Sequence, residues 1–132
     1  MFDQVKDSGE REDFSTGSKR DTRKGKGRYD LIPAYPLHRL AVHYQNGSDK
    51  YGDWNWILGQ PLSRYIDSAM RHLNEVRMGK DDEDHEIAVA WNIFAYIETK
   101  RLISIGKLPK ELDNMVLSVE DARRLIDGQA QK

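Results

Sequence analysis

Cysteine is absent from the 132 residues, proline occurs four times, and no long apolar run is present. Without cysteine there are no disulfides, no thiolate metal sites and no thiol nucleophile. Any bound metal must therefore rest on carboxylates, imidazoles and water. The longest apolar stretch, Ile87 to Ile97, is interrupted by Asn92 and is far too short to span a bilayer. The N-terminal residues are polar and lack the apolar run of a secretory signal, so the expected location is cytoplasmic. Net charge is missing too: 21 Lys and Arg stand against 22 Asp and Glu. That balance argues against a membrane-surface protein or a generic polyanion binder, and no stable nucleic-acid complex is expected.

What remains fits one modest core. A chain this small that binds a nucleotide often completes its site by self-association, so a homo-oligomer is expected. Residues 1–27 are polar, with Met1, Phe2, Val5 and Phe14 as the only apolar anchors, and read as a mobile arm. Within it Lys19, Arg20, Arg23, Lys24 and Lys26, continuing to Arg28, form a basic cluster facing Asp21. The cluster is either a solvated tail or a segment that folds over phosphates. Residues 28–106 read as a helical domain and residues 107–132 as a helical extension.

Apolar spacing places helices at about Pro36 to Gln45, from Pro61 to near Gly79, from Asp84 to Ile103 and from Ser118 to Ile126. Asn46-Gly47 is the expected stop of the first, and Ser118 with Asp121 forms a capping box for the last. The third is expected to pack Ile87, Ala90, Trp91, Phe94 and Ile97 on one side. No strand alternation is evident. The fold class is therefore all-α, a small antiparallel helical bundle.

The polar faces carry the chemistry. At 100° per residue, Asp67, Arg71, His72 and Glu75 fall within a sector of roughly 140°. On the next helix His85, Ala88, Asn92 and Tyr96 lie opposite Ile87, Trp91 and Phe94. Facing a common cleft, these helices would gather Asp67, His72, Glu75, Asp84 and His85, a ligand set suited to Mg²⁺ or Mn²⁺. The plainer alternative is a surface His72–Glu75 pair and acids that merely favour a helix N-terminus. Asn92 sits in an apolar run and needs partners if buried, either a ligand or a neighbouring helix. The Ser48 to Gly59 segment carries Tyr51, Trp54 and Trp56, rings that either stack on a purine or fill core gaps.

An ordered series then stands out: Arg28-Tyr29-Asp30-Leu31-Ile32-Pro33, Lys50-Tyr51-Gly52-x-x-Asn55-Trp56, Ser63-Arg64-Tyr65, Arg71-His72-Leu73, and His85 with Ala90-Trp91-Asn92. It resembles the dATP/dGTP diphosphohydrolase family, the phage MazZ-type enzymes distantly related to MazG-like all-α pyrophosphohydrolases. The resemblance covers about residues 26–98. It implies metal-dependent hydrolysis of dGTP and dATP to monophosphate and pyrophosphate, with two or three Mg²⁺ or Mn²⁺ ions. In a phage such an enzyme supplies dGMP for the synthesis of 2-aminoadenine DNA.

The implied catalytic residues are Glu75, His72 and His85, and the implied metal ligands are Asp67, His72, Glu75, Asp84 and His85. Lys50 and Arg71 would neutralise phosphate oxygens, Tyr51, Asn55 and Trp56 would shape the sugar and base pocket, and Arg64 and Asn92 would also bind substrate. One departure is plain. MazG-like enzymes typically carry a Glu-x-x-Glu motif on one helix and a Glu-x-x-Asp motif on the next, and neither lies on the two polar-faced helices here, so either histidines replace carboxylates or the metal site has moved. A second reading follows, a helical module that binds a nucleotide or a partner without catalysis.

Overall fold

The computed structural model describes residues 7–130, so Met1, Phe2 and Val5 lie outside the described residues. These residues fall into two units, one ending at Ala34 and the other beginning at Tyr35. The first contains an antiparallel hairpin, β1 (Arg11–Asp13) with β2 (Lys19–Asp21), in the register Arg11 opposite Asp21. The sequence reading foresees no strand here. The segments are Arg-Glu-Asp and Lys-Arg-Asp, with no apolar alternation, and what joins them is charge and a turn.

Phe14 and Ser18 exchange a backbone hydrogen bond across that turn, and Gly17 takes a positive φ of 87°. Much of the basic cluster is matched within the unit: Lys19 pairs with Asp13, Lys26 with Asp21, and Arg23 and Arg28 with Asp30.

The second unit holds α1 (Ala34–Tyr51), α2 (Leu62–Arg77), α3 (His85–Ser104) and α4 (Val119–Ala130). The bundle is all-α, as the periodicity predicts, and α2 and α3 form its antiparallel centre. Each of these two ends on a glycine in the left-handed region, Gly79 at φ 73° and Gly106 at φ 76°. In both, a 6→1 bond (Lys80 to Glu75, Lys107 to Leu102) and a 5→2 bond (Gly79 to Val76, Gly106 to Ile103) close the Schellman turn. At the start of α4, Ser118 Oγ accepts from the Asp121 N–H at 3.1 Å and Asp121 in return accepts from Leu117.

Two expectations need correction. The first helix does not stop at Asn46-Gly47 but continues to Tyr51, where Gly52 at φ 93° ends it. A mid-helix glycine costs about 1 kcal/mol, which the packing of Tyr44 against Trp91 and Trp56 offsets. The buried face of α3 also differs from the expected one. Ala88, Asn92, Ala95 and Thr99 turn inward, whereas Phe94 and Ile97 remain 54% and 60% exposed. Small and polar residues let α3 approach α2 closely; of the expected face Ile87 is buried and Trp91 packs on the core, while Phe94 and Ile97 are left outside.

The core joins Leu62, Tyr65 and Ala95, with Trp91, Tyr96, Ile103 and Met115 packed around them. The free N–H of Ser63 at the start of α2 is satisfied by Asn114 Oδ1, and Asn114 Nδ2 donates to Ser63 Oγ. Tyr65 is 1% exposed, and its hydroxyl meets Thr99 Oγ1 at 3.3 Å. Tyr65→Phe is expected to cost about 1 kcal/mol, since it strands a buried hydroxyl without creating a cavity. Urea unfolding measures the loss, and an unchanged midpoint would mean that Thr99 finds another partner.

A nucleotide-sized cavity beside a histidine and carboxylate cluster

A cavity of about 770 Å³ opens among α1, the segment after it, α2 and α3. Its size is within the range of small-ligand sites, roughly 300–1,000 Å³. All three tryptophans of the chain line it. A chain of rings leads from core to rim: Tyr65 to Trp91 at 6.5 Å, Trp91 to Tyr44 at 6.0 Å, Tyr44 edge-on to Trp56 at 6.4 Å, and Trp56 to Trp54 at 5.8 Å. Gly47 contributes bare backbone to the wall, with nothing within 4 Å of an added Cβ.

Positive charge faces the same space. Arg64, Ser68 and Arg71 follow at i, i+4 and i+7 along α2, and Lys50 comes from the last turn of α1. Among the described residues, Lys50, Arg64 and Arg71 form no ion pair. Arg71 donates only to Ser68 Oγ, at 3.3 Å, and Lys50 lies 5.3 Å from the Tyr51 ring centroid. Asp53 and Glu83 line the same space without pairing with these cations, and unpaired cations around a concave aromatic wall favour an anionic ligand with a ring system.

His72 belongs both to this wall and to a buried cluster. Its Nδ1 is 2.9 Å from His85 Nδ1, which in turn lies 2.8 Å from Glu75 Oε2, while His85 Nε2 lies 2.7 Å from Asp82 Oδ1. The helices dictate this meeting. His72 and Glu75 are i,i+3 neighbours near the end of α2, and His85 opens α3 after a short connection, with only 2% of its surface exposed.

The hydrogen bond to Asp82, then the nearby Glu75 charge, raises the His85 pKa above its ordinary 6.5. Burial, assisted by Arg71, lowers that of His72. A charged His85 then donates through both nitrogens, and a neutral His72 accepts at Nδ1 and carries its proton on Nε2.

The pH dependence follows from these signs. Stabilisation from His85 is complete below about 6.5 and is lost as pH rises through its raised folded value. The depressed His72 contributes in the other direction, its share being lost as pH falls below about 6.5. In EDTA the thermal midpoint should therefore decline as pH is raised above about 6.5. Asp82→Asn should flatten that decline, and an unaltered slope would show that the Asp82 contact does not hold the His85 proton.

Of the residues singled out in the sequence, Lys50, Tyr51, Asn55, Trp56, Arg64, Arg71, His72 and Asn92 line the one cavity. Asn92 is buried, and its Nδ2 donates to the Ala88 carbonyl at 2.8 Å. Glu75 and His85 join His72 in the cluster. Asp67 is exposed on α2 and belongs to neither the cavity nor the cluster.

Asp84 is engaged elsewhere. It pairs through both oxygens with Arg39, which holds its pKa low, and caps α3 by accepting from the Ile87 N–H. The acid of this run that reaches His85 is Asp82, two residues before Asp84. His43, Tyr44, Ser68 and Glu83 also line the cavity and were not singled out for the site. The acidic run from Asp81 to Asp84 signals an acid near His85, but only the folded connection decides which one.

Fold and site together define a small helical protein with a nucleotide-sized aromatic and cationic cavity beside an imidazole and carboxylate cluster. The family model for the N-terminal region of dATP/dGTP diphosphohydrolases matches residues 16–104, and the chain belongs to that family. The match ends with α3, so α4 lies beyond it. No curated protein and no solved structure matches significantly.

Proposed function

We propose that the protein hydrolyses dGTP and dATP to the deoxynucleoside monophosphate and pyrophosphate with the help of a divalent cation. The observation that carries this reading is one cavity that joins three tryptophans and three cations without an ion pair to a wall bearing His72 of the buried cluster. Water attacks the α-phosphorus, and the bridging oxygen between the α- and β-phosphorus leaves with pyrophosphate. Lys50, Arg64 and Arg71 neutralise the phosphate oxygens, with Arg64 and Arg71 on one helix face so that the chain of phosphates lies along α2. Glu75, beside His72 and His85, takes the proton of the attacking water. The aromatic wall holds the nucleoside and keeps bulk water from the reacting atoms.

The donors present fit a metal. His72, Glu75 and His85 each offer one ligand atom, all within 4.8 Å of one another, and Asp82 and Glu83 form a second such group through His85. Two imidazoles with a carboxylate suit Mn²⁺ better than Mg²⁺, which prefers oxygen ligands throughout. When bound, the ion would polarise the phosphoryl group and lower the pKa of its water.

Family membership supports purine deoxynucleotides as substrates, and a role in releasing dGMP for 2-aminoadenine DNA in a phage-infected cytoplasm follows from the same kinship. No described helix is long and apolar enough to cross a membrane. We further propose a homo-oligomer, because Met70 and Leu73 on α2 and Phe94 and Ile97 on α3 leave apolar surface exposed.

The test is product analysis after incubation with each of the four dNTPs, in Mn²⁺ or in EDTA. Monophosphate and pyrophosphate from dGTP and dATP alone, and only with metal, is the expected result. Glu75 is the only glutamate on α2, which therefore carries no Glu-x-x-Glu motif, and this favours a second reading, a module that binds without turnover. Nucleotide retained in EDTA, with no product under any condition, would establish that reading instead.

A further inference from the structure

Among the described residues Trp54 is the one non-glycine with a positive φ, at 67°. The left-handed region suits glycine or asparagine and strains a bulky side chain, so a tryptophan there calls for a reason. Packing does not supply it. The side chain is 67% exposed, and its one aromatic neighbour is Trp56 at 5.8 Å with planes tilted by 53°.

The surrounding segment fixes the backbone in this shape. Gly52 and Gly59 flank it with φ of 93° and 81°, Ser48 Oγ bonds Asp53, and the Trp54 carbonyl accepts from the Ile57 N–H at 3.0 Å. Trp56, by contrast, is half-buried and wedged edge-on against Tyr44. One ring supports the loop and the other is presented to the cavity.

We infer that Trp54 is the platform on which the nucleobase stacks, and that it confers the preference for purines over pyrimidines. This rests on the nucleotide reading above and deepens it. A stacked base gains with the area of overlap, and the indole face accommodates both rings of a purine. The cations on α2 act on the phosphates whatever the base. Selectivity for the base and affinity for the phosphates are thereby assigned to different walls of one cavity, and Trp56 serves as the support of Trp54 rather than as the stacking ring.

The assignment is tested by calorimetric titration of the full-length protein with dGTP, dCTP and inorganic tripolyphosphate, comparing wild type with Trp54→Gly and Trp54→Phe. Trp54→Gly removes the ring and relieves the positive φ. It should raise the thermal midpoint, weaken dGTP about tenfold or more, weaken dCTP less and leave tripolyphosphate unchanged. Trp54→Phe should keep most of the dGTP affinity.

Unchanged dGTP affinity in Trp54→Gly overturns the inference, as does an equal loss for tripolyphosphate. A lowered thermal midpoint with full dGTP affinity would assign Trp54 to packing instead. A wild-type protein that binds dGTP without hydrolysing it sinks the hydrolase reading alone, and the affinity comparison still decides the role of Trp54. A wild-type protein that binds no nucleotide overturns both.

Discussion

Glu75→Gln is expected to lower turnover at limiting Mn²⁺ by roughly 100-fold or more while leaving the fold intact. Glutamine keeps the shape of the side chain and can still meet His85 Nδ1, now 2.8 Å from the carboxylate. What disappears is the negative charge that balances His85 when the site is empty and a cation when it is filled. Loss of a supporting carboxylate at a metal site typically costs 10- to 100-fold in affinity, and loss of a direct ligand costs at least that. Raising Mn²⁺ should therefore restore only the part of the loss that comes from metal affinity, not the part that comes from the missing proton acceptor, and Mn²⁺ binding followed by electron paramagnetic resonance should weaken in parallel.

Because Glu75 supports the buried His85, the thermal midpoint in EDTA should fall at pH values where His85 is charged and move little above them. Activity preserved at all Mn²⁺ concentrations would remove Glu75 from the metal site. Asp67→Asn is the informative companion. Asp67 shares the helix but lies outside the cluster, so its loss should change turnover by less than about twofold. A collapse of activity there would return Asp67 to the ligand set.

The contrast between Asp67 and Glu75 shows how far a sequence can be read. Helical periodicity fixes which residues share a face, and it groups Arg71, His72 and Glu75 on α2 correctly in angle. It does not fix which end of that face meets the partner helix. The connection after Gly79 settles this by bringing His85 onto His72. Asp67, more than a turn earlier, is left in solvent.

Asp84 and Asp82 illustrate a related limit. A capping position selects Asp84 from local spacing alone, yet the choice between capping, Arg39 and His85 depends on a residue 45 positions away in the chain. The hairpin in the first unit was invisible because its strands carry no apolar alternation, and the extension of α1 through Gly47 depends on aromatic packing that no local propensity encodes. Glycine-terminated helices and the aromatic segment were legible because their signals are local: a left-handed stop needs glycine, and exposed rings need a surface to pack on or a ligand.

Arg71→Gln is expected to reduce kcat/KM for dGTP by about 10- to 100-fold, with the loss growing with the number of phosphates on the ligand. In the folded chain Arg71 stands on the cavity wall with a hydroxyl, Ser68 Oγ, as its hydrogen-bond partner, and no carboxylate among the described residues neutralises it. A guanidinium in that state is free to fork across phosphate oxygens, which lysine does as a point charge only. Arg71→Lys should therefore recover part of the loss and Arg71→Gln none of it.

Two further consequences separate phosphate binding from a structural role. Arg71 is exposed, so the thermal midpoint should be unchanged within error. Its charge also depresses the His72 pKa, after burial, so its removal should shift upward the pH at which His72 titrates. Affinities for dGTP, dGMP and deoxyguanosine in the wild type and in Arg71→Gln give the decisive comparison. If Arg71 reads phosphate, deoxyguanosine binds both proteins equally and the gap opens from dGMP to dGTP. A gap of the same size for all three would place Arg71 at the nucleoside and leave Arg64 and Lys50 to hold the triphosphate.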